Sequence, residues 1–448
     1  LSLQGRNIAV VGMGVSGLAS VRLALFLGAD VLAVNSGNTE EWGSRVEAHD
    51  RLQLLSQESP DCQSALSQCD SIILSPGIAR ESEFLKESLT KGIEVISEIE
   101  FAYRALKNSL SKTKIISVTG TNGKTTTVTI IDLLARGAGC SSFLGGNIGT
   151  PLATYALEVL SNKRSEASLI ILELSSFQLE SMDTFKSDVA AILNISANHG
   201  ERYERVSDYA RAKFSIADNL DDSDNIFVGD LGGFEKEFNP SCNLIKLEVP
   251  RSADIFSGNV RESFQLIGEH NLSNLNFATK LLETVGVDWK NGLEQLKEFQ
   301  GVSYRLQKRP SREGLYIFND AKSTNWEASL TALKACEFSY KNLPISLILG
   351  GKLRGHGDQL ESKLDAHKES ISKVFLYGES GKVLLEEFKE KFNCDYFKTL
   401  DEVIKNISAE VEKGVILFSP AFPSFDLYEN YVKRGEHFDL LISEYLER

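Results

Sequence analysis

The segment Thr119-Gly120-Thr121-Asn122-Gly123-Lys124-Thr125-Thr126 carries the most specific chemistry in the chain. It stands between an apolar run, Lys114 to Val118, and a helical pattern from Thr125 to Ala135. Backbone N–H groups of such a turn can cradle phosphates, the Lys124 ammonium can neutralise β- and γ-phosphate charge, and the Thr125 hydroxyl can hold Mg²⁺. Glycine is needed where backbone must come close to an anion. The spacing departs from the pattern G-x-x-x-x-G-K-[ST], because Val118 stands where its first glycine would be. An ordinary turn that happens to contain Gly-Lys-Thr is the alternative, and the flanking strand and helix weigh against it.

Two further residues fit a metal-assisted site, and a lysine follows them. Glu173 lies in the apolar run Leu169 to Leu174, and a carboxylate at a strand end beside a phosphate loop can ligate Mg²⁺. Taken alone it reads as a solvated strand end. His199 follows the apolar run Val189 to Ile195, where an imidazole can reach a metal, although a lone histidine is usually structural. Lys213 comes fourteen positions later in Tyr209-Ala210-Arg211-Ala212-Lys213-Phe214, and its plain alternative is a surface lysine on a helix.

Gly12-Met13-Gly14-Val15-Ser16-Gly17 matches G-x-G-x-x-G between the strand pattern Asn7 to Val11 and a helical pattern from Leu18 to Leu27. A nicotinamide enzyme wants an acidic residue at the end of the next strand, and Asn35-Ser36 stands there instead. A different nucleotide diphosphate is the favoured ligand, with a dinucleotide or an unliganded tight turn as the alternatives.

The elements that must hold these residues read as three α/β units, expected over residues 1–97, 98–301 and 302–448. In the first, the runs Val31 to Val34, Ser71 to Leu74 and Gly92 to Ile96 follow the opening βαβ pattern. Ser97 and Glu100 are spaced as a capping box and predict a helix to about Lys107. The central unit is expected to end with the helix after Asn271, and strands at Leu315 to Phe318, Ile345 to Leu349, Val374 to Tyr377 and Val415 to Phe418 build the third. Strands separated by helices favour parallel sheets, whose ligands sit beyond the carboxyl ends of the strands. The expected fold class is therefore α/β with a Rossmann-like first domain, a P-loop ATPase-like central parallel sheet and a Rossmann-like third domain.

A chain of 448 residues exceeds one ordinary core, and 42% hydrophobic with 25% charged residues is the composition of a globular protein. No run of apolar residues is long enough for a membrane span, so no membrane is expected as a partner. A net charge of -14 argues against broad contact with a nucleic-acid backbone, while local sites for small anions remain open. Cys62, Cys69, Cys140, Cys242, Cys336 and Cys394 lack C-x-x-C spacing and are expected to be reduced. With no signal peptide before Asn7, the cytoplasm is the expected location, and a monomer the expected state.

The phosphate loop, Gly145-Gly146-Asn147-Ile148-Gly149, Glu173-Leu174-Ser175-Ser176-Phe177-Gln178-Leu179, Gly268-Glu269-His270-Asn271-Leu272-Ser273-Asn274, Asn319-Asp320-Ala321-Lys322-Ser323-Thr324-Asn325 and Ser419-Pro420-Ala421 occur in that order along the whole chain. Together they resemble the Mur ligases. The Gly-x-Gly-x-Ser-Gly loop and Ser75-Pro76-Gly77-Ile78 look more like the D-glutamate-adding type than its neighbours.

This resemblance implies ATP-dependent ligation of D-glutamate to UDP-N-acetylmuramoyl-L-alanine in peptidoglycan precursor synthesis, and with it a part in cell shape and division. ATP would phosphorylate the substrate carboxylate, and the amino group would then displace phosphate from the acyl phosphate. Another Mur-type or folylpolyglutamate-type ligase, a non-catalytic nucleotide-binding relative, and an NAD-dependent oxidoreductase resting on Gly12 to Gly17 alone are the other readings. By resemblance, residues Gly120 to Thr126 with Asn271, Asn274, Arg305 and Asp320 bind ATP, the last two reaching it on domain closure. Thr125 and Glu173 would hold one Mg²⁺ and His199 a second. Lys213 matches the lysine that the family carbamylates with CO₂, which turns a repelling ammonium into an anionic oxygen ligand. Ser16, Ser36, Gly77, Asn147 and His199 match the UDP-substrate side, and Lys322, Thr324, Arg354, Ser424, Phe425 and Tyr431 the amino-acid side. The chain departs from the family pattern at Asn35, Asn198, Tyr304, Gln307 and Arg354.

Overall fold

Apolar runs closed by glycine, proline or polar residues become short parallel strands, because a strand covered on both faces needs apolar side chains on both. The computed structural model of the protein describes residues 1–110, 112–196, 202–203, 205–249, 260, 263–353 and 360–447. The described residues form three sheets, and the chain divides into two compact units, Leu1–Val249 with Asn274–Gln295 and Pro250–Ser273 with Leu296–Arg448.

The first unit holds two parallel sheets. One is built from β1 (Asn7–Val11), β2 (Asp30–Asn35), β3 (Leu52–Ser56), β4 (Ser71–Leu74) and β5 (Glu94–Ser97) in the order β3-β2-β1-β4-β5. The other comprises β6 (Lys114–Thr119), β7 (Ser142–Gly146), β8 (Leu169–Glu173), β9 (Val189–Asn194), β10 (Asn225–Asp230) and β11 (Asn243–Lys246) in the order β11-β10-β9-β6-β8-β7. One apolar core runs through both, from Ile8, Val10 and Leu23 to Ile170, Leu172 and Ile192. The helix Glu98–Leu106 joins them, packing on the helices Val15–Phe26 and Leu152–Leu160.

Only half of the expected capping box forms at the start of that helix. Ser97 accepts from the Glu100 N–H at 3.2 Å, but the Glu100 carboxylate turns away to accept from the N–H groups of Asp183, Thr184 and Phe185 and pairs with Arg104. A complete capping box forms instead at Ser175 and Gln178, directly after Glu173.

The second unit holds β12 (Gln307–Arg309), β13 (Leu315–Asn319), β14 (Ile345–Gly350), β15 (Ile371–Tyr377), β16 (Cys394–Phe397) and β17 (Gly414–Ala421) in the order β12-β13-β17-β14-β15-β16. All pairs are parallel except β12 with β13 at the edge. The expected α/β class with three mostly parallel sheets is what the chain adopts. All six cysteines are free thiols, and among the described residues no helix is long and apolar enough to cross a membrane.

Candidate active site

In the first sheet, β1 ends at Val11 and Gly12, with a φ of 92°, opens the turn into the helix Val15–Phe26. A Cβ on Gly17 would lie 1.8 Å from the Gly12 carbonyl oxygen, so only glycine lets that helix start so close to the strand. The helix has no side-chain cap and no acidic residue in its first turn, which leaves its positive end available to an anion. Asn35 accepts a hydrogen bond from the Met13 N–H at 3.0 Å and so fixes the loop. Ser16 lies half-buried in the first helical turn, Ser36 is exposed beyond β2, and Gly77 is exposed beyond β4 with open space where a side chain would stand.

The second sheet brings the central residues together. β6 ends at Thr119 and leads through Gly120 and Gly123 into the helix Lys124–Gly137. Gly123 has a φ of 85°, and a Cβ there would meet Asn274 Oδ1 at 2.5 Å. The loop is held from β9, since the Asn122 N–H donates to Asn194 Oδ1 and Asn194 Nδ2 donates to the Asn122 carbonyl. Lys124 Nζ donates to the carbonyls of Gly120 at 2.7 Å and Thr121 at 3.0 Å, which keeps the ammonium over the loop. Thr126 lies two positions further along the same helix.

Thr125 Oγ1 donates to Glu173 Oε2 at 2.7 Å, and Asn147 Nδ2 donates to Glu173 Oε1 at 2.9 Å. The carboxylate is buried between them. Lys213, in the last turn of the helix Val206–Phe214, is 1% exposed; its Nζ lies 3.4 Å from Thr119 Oγ1 and 4.5 Å from the centre of the Tyr209 ring. Burial holds its amine well below the ordinary lysine range, the Lys124 ammonium pushes the same way, and Glu173 opposes both. Asn271 and Asn274 are both buried on the helix Glu269–Thr284. Asn271 donates to the Ile267 carbonyl, and Asn274 accepts from the Thr127 hydroxyl.

In the second unit, Asp320 is buried at the carboxyl end of β13, accepting from the Leu306 N–H at 2.9 Å and the Ser419 hydroxyl at 2.7 Å. Burial raises its carboxyl to about 7, against the lowering pull of those bonds and of Arg305 and Arg434. Arg305 sits in a turn between Tyr304 and Leu306, both at positive φ, and Gln307 closes it by accepting from the Tyr304 N–H. Lys322 Nζ lies 5.1 Å from the centre of the Tyr431 ring. Thr324 is half-buried before the helix Trp326–Ser339, Ser424 is buried, and Phe425 is exposed.

A strand, a phosphate-sized loop, a helix, a buried carboxylate and a buried lysine thus lie at the carboxyl edge of a parallel sheet, an arrangement that can hold a nucleotide. A family model of the Mur ligase middle domain matches residues 118–282, and a MurD-like Mur ligase N-terminal domain model matches residues 6–97. A UDP-N-acetylmuramoylalanine–D-glutamate ligase of Caldicellulosiruptor bescii is 33% identical, covering 100% of this chain and 99% of the relative. One of Nitratidesulfovibrio vulgaris is 34% identical over 96% of this chain and 94% of its own. The chain belongs to the Mur ligase family, in its MurD branch. Its fold is also that of the MurF ligase of Thermotoga maritima, solved in complex with ADP, at a TM-score of 0.58 and 18% identity over 99% and 96% of the two chains.

For this Mur ligase, two of the residues expected from the sequence, His199 and Arg354, lie outside the described residues, as does Asn198. Among the described residues no group of three or more His, Cys, Asp or Glu side chains stands ready to hold a metal. The donors that do converge are the Thr125 hydroxyl and the Glu173 carboxylate, hard oxygens of the kind that Mg²⁺ takes together with water and phosphate. Sequence reasoning missed three residues that shape the site, Asn194, Tyr209 and Arg434, and read Asn35 only as a departure from the expected acidic residue, whereas it holds the glycine loop. Asn35 and Asn194 each end a strand, which is where a side chain can reach a neighbouring loop. Tyr209 stands four residues before Lys213, one helical turn away, so the spacing held the signal. Arg434 is fully buried and donates to the carbonyls of Phe422 and Ala321, tying together the loops after β17 and β13. No spacing marks it.

Proposed function

We propose that this Mur ligase joins D-glutamate to UDP-N-acetylmuramoyl-L-alanine at the expense of ATP, and so supplies peptidoglycan synthesis. Residues 1–97 would bind the UDP-substrate, 98–301 ATP and 302–448 the amino acid, in a cytoplasmic monomer. One observation carries the proposal: a buried lysine whose amine is held well below the ordinary lysine range, beside a phosphate loop and a carboxylate. The names and full-length identity of the MurD relatives support the choice of substrates.

The γ-phosphate of ATP and the substrate carboxylate are both anions, and their approach must be offset by cations held in place beforehand. Lys124, fixed over the loop by two carbonyls, does this at the phosphates. Mg²⁺ bound at Thr125 and Glu173 would supply further positive charge and orient the phosphate oxygens. Transfer of the phosphoryl group to the carboxylate gives ADP and an acyl phosphate. The amine of D-glutamate then attacks the acyl carbon, the C–O bond to phosphate breaks, and the amine loses a proton as the amide forms.

Lys213 serves this site as a carbamate. Its neutral amine adds to CO₂, an N–C bond forms, one proton leaves, and the product is an anionic oxygen donor in a place where an ammonium would repel the metal. Ser16, Ser36, Gly77, Asn147 and His199 take the UDP-substrate. Lys322, Thr324, Arg354, Ser424, Phe425 and Tyr431 take D-glutamate, and Asn271, Asn274, Arg305 and Asp320 take the nucleotide. The test is phosphate release with ATP, Mg²⁺ and UDP-N-acetylmuramoyl-L-alanine across a panel of amino acids. Release that ignores D-glutamate and follows another amino acid overturns the proposed specificity.

A further inference from the structure

The strands that carry the phosphate loop at their carboxyl ends border a second cavity at their amino ends. It has a volume of about 370 Å³ and is lined by Lys107, Lys112, Lys114 and Lys186, with Ser187, Asp188 and Asp224 among its other walls. Lys114 is the first residue of β6, so five residue steps of ~3.3 Å put it about 17 Å from Thr119 at the phosphate loop. The cavity is thus separate from the nucleotide site and linked to it by one strand.

Its charges do not cancel. Lys114 pairs with Asp188 at 2.7 Å, and Lys186 pairs with Asp221 at 2.6 Å and Asp224 at 2.8 Å, which uses the nearby carboxylates. Lys107 and Lys112 are exposed on the rim, and among the described residues neither forms an ion pair. In a chain of net charge -14, this cavity concentrates the opposite sign. Ser187, one of its lining residues, has a buried hydroxyl with no hydrogen-bond partner among the described residues. Such a group is costly to bury unless something accepts from it.

We propose that this cavity binds a small phosphoanion, with the Lys107 and Lys112 ammonium groups as counter-charges. Lysines act as compact point charges with rotatable donors and suit a phosphoryl group that no planar arginine fork clamps. The cavity is of a size usual for small ligands, so a pyrophosphate or a phosphorylated metabolite fits better than a macromolecule. Tyr103, Leu110 and Ile115 on the same wall offer an apolar side to the organic part of the second kind.

The experiment uses the full chain carrying Lys124→Met, which weakens phosphate binding at the nucleotide loop, and titrates inorganic pyrophosphate and, separately, ribose 5-phosphate by calorimetry. At least one of them should bind, more weakly as salt is added. Tighter pyrophosphate binding assigns an inorganic ligand, and tighter ribose 5-phosphate binding an organic one. Adding Lys107→Gln with Lys112→Gln should weaken it by about tenfold or more, the scale of one lost charge-assisted contact. Lys236→Gln, an exposed lysine outside the cavity, should leave it unchanged. These substitutions lie on the surface, and an unchanged melting temperature confirms the fold. Absence of binding by both compounds, or equal affinity with and without Lys107 and Lys112, overturns the proposal.

Discussion

Asp320 gives the second unit a pH dependence that can be worked out in advance. Its carboxyl is raised from 3.8 to about 7 by burial at the end of β13. The folded state therefore holds a proton that the unfolded chain has already released. The stability this contributes is complete below pH 4 and is lost as pH rises towards 7. The full span of about three pH units corresponds to on the order of 4 kcal/mol, of which about 2.5 kcal/mol falls between pH 5 and pH 8. Asp439 is raised by burial as well and acts in the same direction, so the informative quantity is the difference between the protein and Asp320→Asn.

Asparagine suits the site. Its carbonyl can still accept from the Leu306 N–H, and its amide can donate to the Ser419 hydroxyl, which has Ser329 as a second partner. The substitution itself should cost only about 1 kcal/mol, the net worth of one altered hydrogen bond. Tryptophan fluorescence separates the two units, since Trp42 and Trp289 belong to the first and Trp326 to the second. In a Trp42→Phe, Trp289→Phe background, urea unfolding followed through Trp326 reports the second unit alone. The parent should lose about 2.5 kcal/mol more than Asp320→Asn between pH 5 and pH 8. Parallel pH profiles for the two proteins would refute a protonated Asp320.

Three further outcomes are expected. Lys213→Ala should abolish turnover and regain part of it with added short carboxylates, measured by phosphate release; full activity without them removes the carbamate. Gly123→Ala combines a φ of 85° with a Cβ 2.5 Å from Asn274 Oδ1, so a strain of ~1–2 kcal/mol should weaken ATP binding roughly 5- to 30-fold in calorimetry. An unchanged affinity would show that the loop needs no glycine there. Gly17→Ala sets a Cβ 1.8 Å from the Gly12 carbonyl, and should raise KM for the UDP-substrate or lower Tm; if neither moves, the tight helix start is not required.

The central strands were legible because they are buried on both faces and so must be apolar throughout, as in Leu169 to Leu172 and Ile345 to Leu349. Edge strands left weaker traces. All four residues of β11 are exposed, and β12 is three polar residues paired antiparallel at an edge, so neither needed an apolar run. β7 was hidden by its own glycines: a Cβ on Gly146 would lie 2.3 Å from the Glu173 carbonyl, so close packing replaced the usual strand signal. Ser97 and Glu100 had the spacing of a capping box, yet Glu100 found three backbone donors 83 to 85 residues away. Local spacing shows what a carboxylate can reach; tertiary packing decides what it takes.

The same rule explains why the site residues were more legible than their contacts. Thr125 and Glu173 are 48 residues apart, and Asp320 and Ser419 are 99 apart, yet both pairs are in hydrogen-bond contact. Sheet order makes them neighbours. β6 lies beside β8 with Val118 opposite Glu173, and β13 lies beside β17 with Asn319 opposite Phe418. Adjacent strands run about 4.8 Å apart, so polar residues at or near the carboxyl ends of neighbouring strands meet without any loop having to search for its partner. The apolar interiors of these strands therefore act on the chemistry through register. A slip of β8 by one residue would turn Glu173 to the opposite face and separate it from Thr125 and Asn147 at once. The isoleucines and leucines that prevent the slip thereby position the carboxylate, though none of them touches it through a polar atom.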